Sequence, residues 1–460
     1  MAVSVLKLGQ LCTAAAASDE FLAVATPEHA VVLLKRTGAG WQNLHEGCVL
    51  NEGHEAAITS LSLNAGAACA AASSGQSPAL RLASSSHDRN SYVWTQQREQ
   101  QSAAALRVNN GQQQQRQGGH QDGGGSSEHW RAELVITRLS KAGLCCSWAP
   151  GCLKFAIGSV DGLVDVVFLD ASRELWAPKL IKKRHDGAVM ALAWHPTSAV
   201  LATACADGRL RLLNAVLPGV DGPSSLAALE SSRFGECLLE LALPCSSWGL
   251  AAAFAPDGRT LAVASQGPQG AHLTLLAGID LSAPSSLDAA VLEAQAKAAG
   301  SGATPRLQHL PLDSLPLKCL AFLSDSVLAG GGFDCQPQLF ARRADGRWQF
   351  ARSLAGTQAS STAGKPVAAA PSSMSARIKL FEQQAAAASA AGSNGKAAAA
   401  GGGGSANGVG RSRRSGCSAG PHEGCILSIS SLPSSSSDLR FVTASLEGCI
   451  AEWRVDPASL

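Results

Sequence analysis

An acidic residue followed six positions later by a large apolar one recurs six times in this chain, and that spacing restricts the fold more than any other feature. The pairs are Glu28 with Leu34, Asp88 with Trp94, Asp161 with Val167, Asp207 with Leu213, Asp334 with Phe340 and Glu447 with Trp453. Four residues before each acid stands a small or short side chain: Val24, Ser84, Ile157, Thr203, Gly330 or Thr443. Upstream of several acids a strand-like run ends in an aromatic and a turn, as in "CCSWAPG", "LAWHPTS" and "AAFAPDG". Pro150 and Pro196 each lie eleven residues ahead of their acid. A seventh unit, over 245–276, keeps the "FAPDG" turn, but the longer "SQGPQGAH" loop replaces its acidic position.

The period shows only after low-complexity sequence is removed. Segments 64–79, 96–129, 283–304 and 356–420 are rich in Ala, Gly, Ser and Gln, with tracts such as "QQQQRQGGHQDGGGSS". They carry too little large apolar surface to offset the entropy of ordering them, and disorder is expected. The remaining short runs, such as "LAVATP" and "FVTASLE", alternate as half-buried strands do, with Pro, Gly and Asp between them. A four-stranded unit of this kind cannot cover both of its faces alone. Radial stacking solves this, and seven units of about 40–45 residues need about 300 residues, roughly what is left of the chain without its inserts. The expected fold is all-β: a single seven-bladed propeller spanning 1–460.

The units resemble WD repeats. In that family the turn acid accepts hydrogen bonds within a His–Ser/Thr–Asp–Trp network that pins the strands of a blade. The second unit matches fully with His54, Ser84, Asp88 and Trp94. The last nearly matches with His422, Thr443, Glu447 and Trp453, and the fourth keeps His185, Thr203 and Asp207 but ends in Leu213. A buried His–Asp pair is also the makings of a general base. Recurrence of the same constellation, in degrading form, favours a structural role.

Little else points to chemistry. The sequence has no Gly-x-Gly-x-x-Gly after a strand, no phosphate-binding Gly-x-x-x-x-Gly-Lys-Ser/Thr loop, no His-Glu-x-x-His and no Gly-x-Ser-x-Gly elbow. No enzyme activity, cofactor or metal is expected. The formal net charge of +2 gives no field favouring nucleic acid or an anionic membrane. Basic clusters at Lys182–Arg184, Arg342–Arg343 and Arg411–Arg414 lack interleaved aromatics and read as solvated surface. The fourteen cysteines form no Cys-x-x-Cys pair and read as reduced thiols of a cytosolic protein. The N-terminal run "MAVSVLKLGQ" has its Lys7 inside the apolar stretch rather than ahead of it, and a β-strand is the better reading than a signal peptide.

One element stands apart. In "SSMSARIKLFEQQAAAA" at 372–388, with a helix expected over 373–388, Met374, Ile378 and Phe381 form an apolar stripe at helical spacing after Pro371 and capping serines. Low-complexity sequence flanks this helix, so it is tethered between the sixth and seventh units. A short isolated helix is marginal in water, and docking of the stripe into a partner's groove is expected.

Several runs are more specific than a generic WD pattern: "HDRNSYVWT", "WRAELVITRLSKAGLCCSWAPGCLKFAIGS", "LIKKRHDGAVMALAWHP", "LPLKCLAFLSDSVLAGGGFDCQPQLF" and "SARIKLFEQ". On these runs, in order and over most of the chain outside the inserts, the sequence resembles the family of WD-repeat subunits (subunit 1) of the actin-related protein 2/3 complex. The resemblance implies a non-catalytic structural subunit of an assembly that nucleates branched actin filaments. Its implied partners are the actin-related proteins and small subunits of that complex and the actin filament, in the cytoplasm and actin cytoskeleton. The protruding helix would contact the mother filament through Met374, Arg377, Ile378 and Phe381. The first unit departs from the family, with "LCTAAAASDE" where a tryptophan is usual. A generic WD40 adaptor, such as a ubiquitin-ligase substrate receptor, is the alternative, and it needs no such helix.

Overall fold

The first strand of the chain does not begin the first blade. In the computed structural model, Ala2–Lys7 pairs antiparallel with Cys449–Val455 and completes the last blade, so the two ends of the chain close one ring. The structure describes residues 2–64 except 38–39, 44–48 and 52; 80–97; 129–283 except 171, 183, 223–228 and 230–231; 287–292; 306–354; and 420–460 except 436–437. Among these residues the strands form seven antiparallel sheets. Blade 1 is Ala14–Ala17, Phe21–Ala25, Val31–Thr37 and Gly40–Asn43, with Val49–Leu50 added against its third strand. Blades 2 to 6 start at Ile58–Leu63, Gly143–Trp148, Val189–Trp194, Trp248–Phe254 and Leu317–Ser324. Blade 7 is Ile426–Ser435, Asp438–Ser445 and Cys449–Val455 with the N-terminal strand at its outer edge.

There is no single core. Apolar side chains gather in seven clusters, one at each junction between neighbouring blades, including that of blade 7 with blade 1. This burial overturns the half-buried reading of the strands. Phe21–Ala25 and Val200–Cys205 are buried at every position, because a neighbouring blade covers each face. Alternation survives on outer strands such as Cys237–Ala242. Leu287 and Leu292, inside a segment expected to be a disordered insert, are buried in the cluster between blades 4 and 5. Two leucines in an alanine-rich stretch suffice to dock it. The strands Ser91–Gln97 and His129–Val135 likewise run one or two residues into the expected insert 96–129.

The turns have a common geometry. Each of the six acids is followed by a residue with left-handed backbone: His29, Arg89, Gly162, Gly208, Cys335 and Gly448, with φ between 60° and 79°. Glycine adopts this conformation without penalty; the other three need the surrounding turn to hold them there. On the turns between first and second strands, the residue two after Pro150, Pro196 and Pro256 is also left-handed (Cys152, Ser198, Gly258). These turns lock neighbouring blades: Gly151 N–H donates to Ser198 Oγ at 2.8 Å, and His195 Nε2 lies 3.2 Å from Gly258 O. Ten cysteines are free thiols among the described residues, and Cys152, contrary to the all-thiol reading, is disulfide-bonded.

Candidate functional site

The second blade joins four side chains from three elements into one hydrogen-bonded chain. Trp94 Nε1–H donates to Ser84 Oγ at 3.1 Å, Ser84 Oγ lies 2.8 Å from His54 Nε2, and His54 Nδ1 lies 2.8 Å from Asp88 Oδ2. The donors and acceptors fix the protons. The ionised carboxylate can only accept, so Nδ1 carries the ring proton; Nε2 of the neutral ring then accepts from the Ser84 hydroxyl, which in turn accepts the indole N–H. Burial pushes His54 below its ordinary value, partly offset by the hydrogen bond and charge of Asp88. For Asp88 burial acts upward, but hydrogen bonds from His54 and from the Asn90 and Glu55 N–H groups hold it below the usual carboxylate range.

Ser84–His54–Asp88 has the connectivity of a hydrolase triad. Burial separates the two: Ser84 is 0% exposed, and its oxygen already accepts the indole N–H. No acyl group can reach it. The network instead ties the second and third strands to the loop arriving from the preceding blade. Asp88→Ala is therefore expected to destabilise the protein by about 1–3 kcal/mol, the cost of leaving buried donors unpaired. Thermal or urea unfolding checks it; a variant as stable as the parent would remove the pinning role.

Blade 7 keeps the inner half of this chain and alters the outer half. Trp453 Nε1–H donates to Thr443 Oγ1 at 2.7 Å, and His422 Nε2 lies 2.6 Å from the same oxygen. Nδ1 turns to Ser445 Oγ at 2.8 Å, while Glu447 stays 3.8 Å away. The extra methylene of Glu carries its carboxylate past the ring, so Ser445 takes the place expected of the acid. Burial pushes His422 down to about 4.

Blade 4 departs further. His185, Thr203 and Asp207 were expected to bond to one another, yet Arg211 stands between them. Its Nη1 donates to Asp207 Oδ2 at 2.7 Å and lies 2.9 Å from His185 Nδ1. Thr203 Oγ1 bonds the backbone oxygen of Arg211 instead. With Leu213 in place of tryptophan no indole N–H arrives to organise the hydroxyl, and His185 Nε2 is buried without a partner. Burial, then the Arg211 charge, pushes His185 down to about 4.

The histidine is thus the variable member, and one contact recurs. Five acids accept a backbone N–H from the incoming loop: Asp88 from Glu55, Asp161 from Ser140, Asp207 from Asp186, Asp334 from Leu315 and Glu447 from Glu423, at 2.8–3.3 Å. Glu28 in blade 1 is exposed. The sequence signal for this role was the acid itself. Two buried charges had no signal in the repeat pattern. Asp165, fully buried, accepts the Arg138 N–H at 2.7 Å, and burial pushes it up to about 6. Lys154, also fully buried, reaches Ala215 O and Asp221. The helix expected over 373–388, with Met374, Arg377, Ile378 and Phe381, lies outside the described residues.

Comparison with known proteins adds two findings. A family model described as "WD domain, G-beta repeat" matches residues 177–214, from the last strand of blade 3 through the third strand of blade 4. The chain is also similar to "Actin-related protein 2/3 complex subunit 1A" of Arabidopsis thaliana, 29% identical over 379 residues, or 82% of this chain and 79% of that protein. It is 27% identical over 335 residues to subunit 1A-B of the same complex from Xenopus laevis, covering 72% of this chain and 71% of that one. Against subunit 1 of Saccharomyces cerevisiae the identity is 24% over 277 residues, 60% of this chain and 57% of the relative.

Proposed function

We propose that this chain, a WD-repeat propeller homologous to subunit 1 of the actin-related protein 2/3 complex, is the non-catalytic structural subunit of such a complex. In this role it supports nucleation of branched actin filaments, holding the actin-related proteins and small subunits through its blades and meeting the mother filament through the helix between blades 6 and 7. Its place is then the cytoplasmic actin cytoskeleton. The carrying observation is the extent of the likeness: 82% of this chain aligns with the plant subunit, far beyond what shared blade patterning in one repeat would give. The buried hydrogen-bonded networks of the blades, closed to any substrate, support a scaffold rather than a catalyst.

The helix separates the two halves of this reading. Changing Ile378 and Phe381 together to Asp removes the centre of the apolar stripe. Two central anchors of a helix-in-groove contact commonly carry about 2 kcal/mol or more each. Branching on pre-formed filaments is expected to fall steeply, while complex assembly and thermal stability stay near the parent values. Normal branching by the assembled variant would remove the filament-contact role and leave the scaffold role standing.

A further inference from the structure

Blade 7 gathers three metal-ligating side chains, an arrangement that among the described residues recurs in blade 4. A ring nitrogen of His422, a carboxylate oxygen of Glu447 and Cys449 Sγ all lie within 4.8 Å of one another. His422 and Cys449 are buried. Glu447 Oε1 accepts the Glu423 N–H at 2.8 Å, but its Oε2 is buried with no hydrogen-bond partner. Gly424 makes room for it, since a Cβ at that position would stand 2.3 Å from Oε2.

The other blades show how the space between ring and acid is otherwise filled. In blade 2 the gap is closed, with His54 and Asp88 in direct contact at 2.8 Å. Blade 4 also assembles His, Cys and acid (His185, Cys205, Asp207), and there the Arg211 guanidinium sits between ring and carboxylate. The chain itself places a cation in that gap. Four residues after the acid, where blade 4 has Arg211, blade 7 has Ala451. Its ring and carboxylate stand 3.8 Å apart. Ligand atoms about 2.0–2.3 Å from a tetrahedral zinc ion lie about 3.3–3.7 Å from one another, so the three groups close by up to about 1 Å onto the ion.

We propose that His422, Glu447 and Cys449 form a site for a zinc-like divalent cation, bound through Nδ1, Oε2 and the thiolate, with solvent in the fourth position. Imidazole and thiolate select zinc over magnesium or calcium. The thiol proton leaves to solvent as the Sγ–metal bond forms. Besides the contact of Nδ1 with Ser445, binding gives up one bond, from the Cys449 thiol to Pro421 O at 3.2 Å, and leaves the other hydrogen bonds around the site in place. His422 Nε2–H then donates to Thr443 Oγ1, the usual way a ligating histidine is oriented by a second group. Thr443 gives its own proton to Ala451 O at 3.3 Å and still accepts from Trp453. Ser445, released from Nδ1, keeps its bond to Cys449 O at 3.0 Å.

Cobalt(II) titration of the full-length chain, stripped with chelator, tests this. The expected result is one equivalent bound, with tetrahedral ligand-field bands and a thiolate-to-cobalt charge-transfer band, both removed by added zinc. Cys449→Ser should abolish the charge-transfer band, and Glu447→Gln should weaken binding about tenfold or more. Cys205→Ser in blade 4 should leave the spectrum unchanged. Absence of uptake by the parent chain would overturn the proposal, as would a spectrum and affinity that survive both blade 7 substitutions or that vanish with Cys205→Ser.

Discussion

Lys154→Ala is expected to cost about 3–5 kcal/mol of stability, because it strands a partly buried carboxylate inside a blade junction. Lys154 opens the second strand of blade 3 and is 0% exposed. Its Nζ donates to Ala215 O at 2.6 Å, pairs with Asp221, and sits 5.3 Å from the Trp194 ring centroid. Ala215 and Asp221 belong to the segment that follows the third strand of blade 4, so one side chain fastens two blades. Burial pushes the ammonium below its ordinary range, and Asp221 works against that. Replacing both charges, as in Lys154→Met with Asp221→Asn, should recover much of the loss, since a neutral pair needs no counter-charge. Urea midpoints of the two variants decide it. A single variant as stable as the parent would show that the pair does not hold the junction.

Acidification should destabilise the propeller through two histidines. His185 and His422 are each pushed down to about 4 by burial, below the ordinary 6.5. In the unfolded chain both take up protons as pH falls below about 6.5; in the folded protein they do not until about pH 4. Their stabilisation is full above the unfolded value and is lost as pH falls through this window. The loss reaches about 3 kcal/mol for each at pH 4. Asp165 works the other way. Its folded value of about 6 lies above the ordinary 3.8, so the penalty it imposes at neutral pH is relieved between those values and offsets roughly one histidine. The net expectation is a fall of about 3 kcal/mol between pH 7 and 4. Asp165→Asn should raise stability at pH 7 and steepen the acid loss. Urea midpoints at pH 7 and 4.5 measure both, and stability that is flat or rising on acidification would contradict the assignment.

The parts of the fold legible in the sequence are those that repeat. The six-residue step from acid to apolar residue locates the turn between second and third strands, and "PG", "PTS" and "PDG" mark the turns before it. The left-handed residue after the acid was half visible: glycine announces it in blades 3, 4 and 7, while His29, Arg89 and Cys335 hide it. What did not repeat was not readable. Nothing local says that Ala2–Lys7 completes the last blade, since its partner lies over 440 residues away. Arg211 looks like an ordinary exposed position of an alternating strand, yet it turns inward to Asp207 and His185. Lys154 and Asp165 are single charges in apolar runs, and only the neighbouring blades reveal that both are buried. The tetrad of blade 2 was readable because all four of its members are the usual ones; blade 4 has Arg211 between ring and acid and Leu213 for the tryptophan, and blade 7 has Glu447 for the aspartate.

Purification of the tagged full-length chain from native extract bears most directly on its role. As a subunit of an actin-related protein 2/3 complex, it should return with two actin-related proteins and the small subunits in near-equal amounts, eluting as one assembly. Recovery of the chain alone, or with components of an unrelated assembly such as a ubiquitin ligase, would contradict that role.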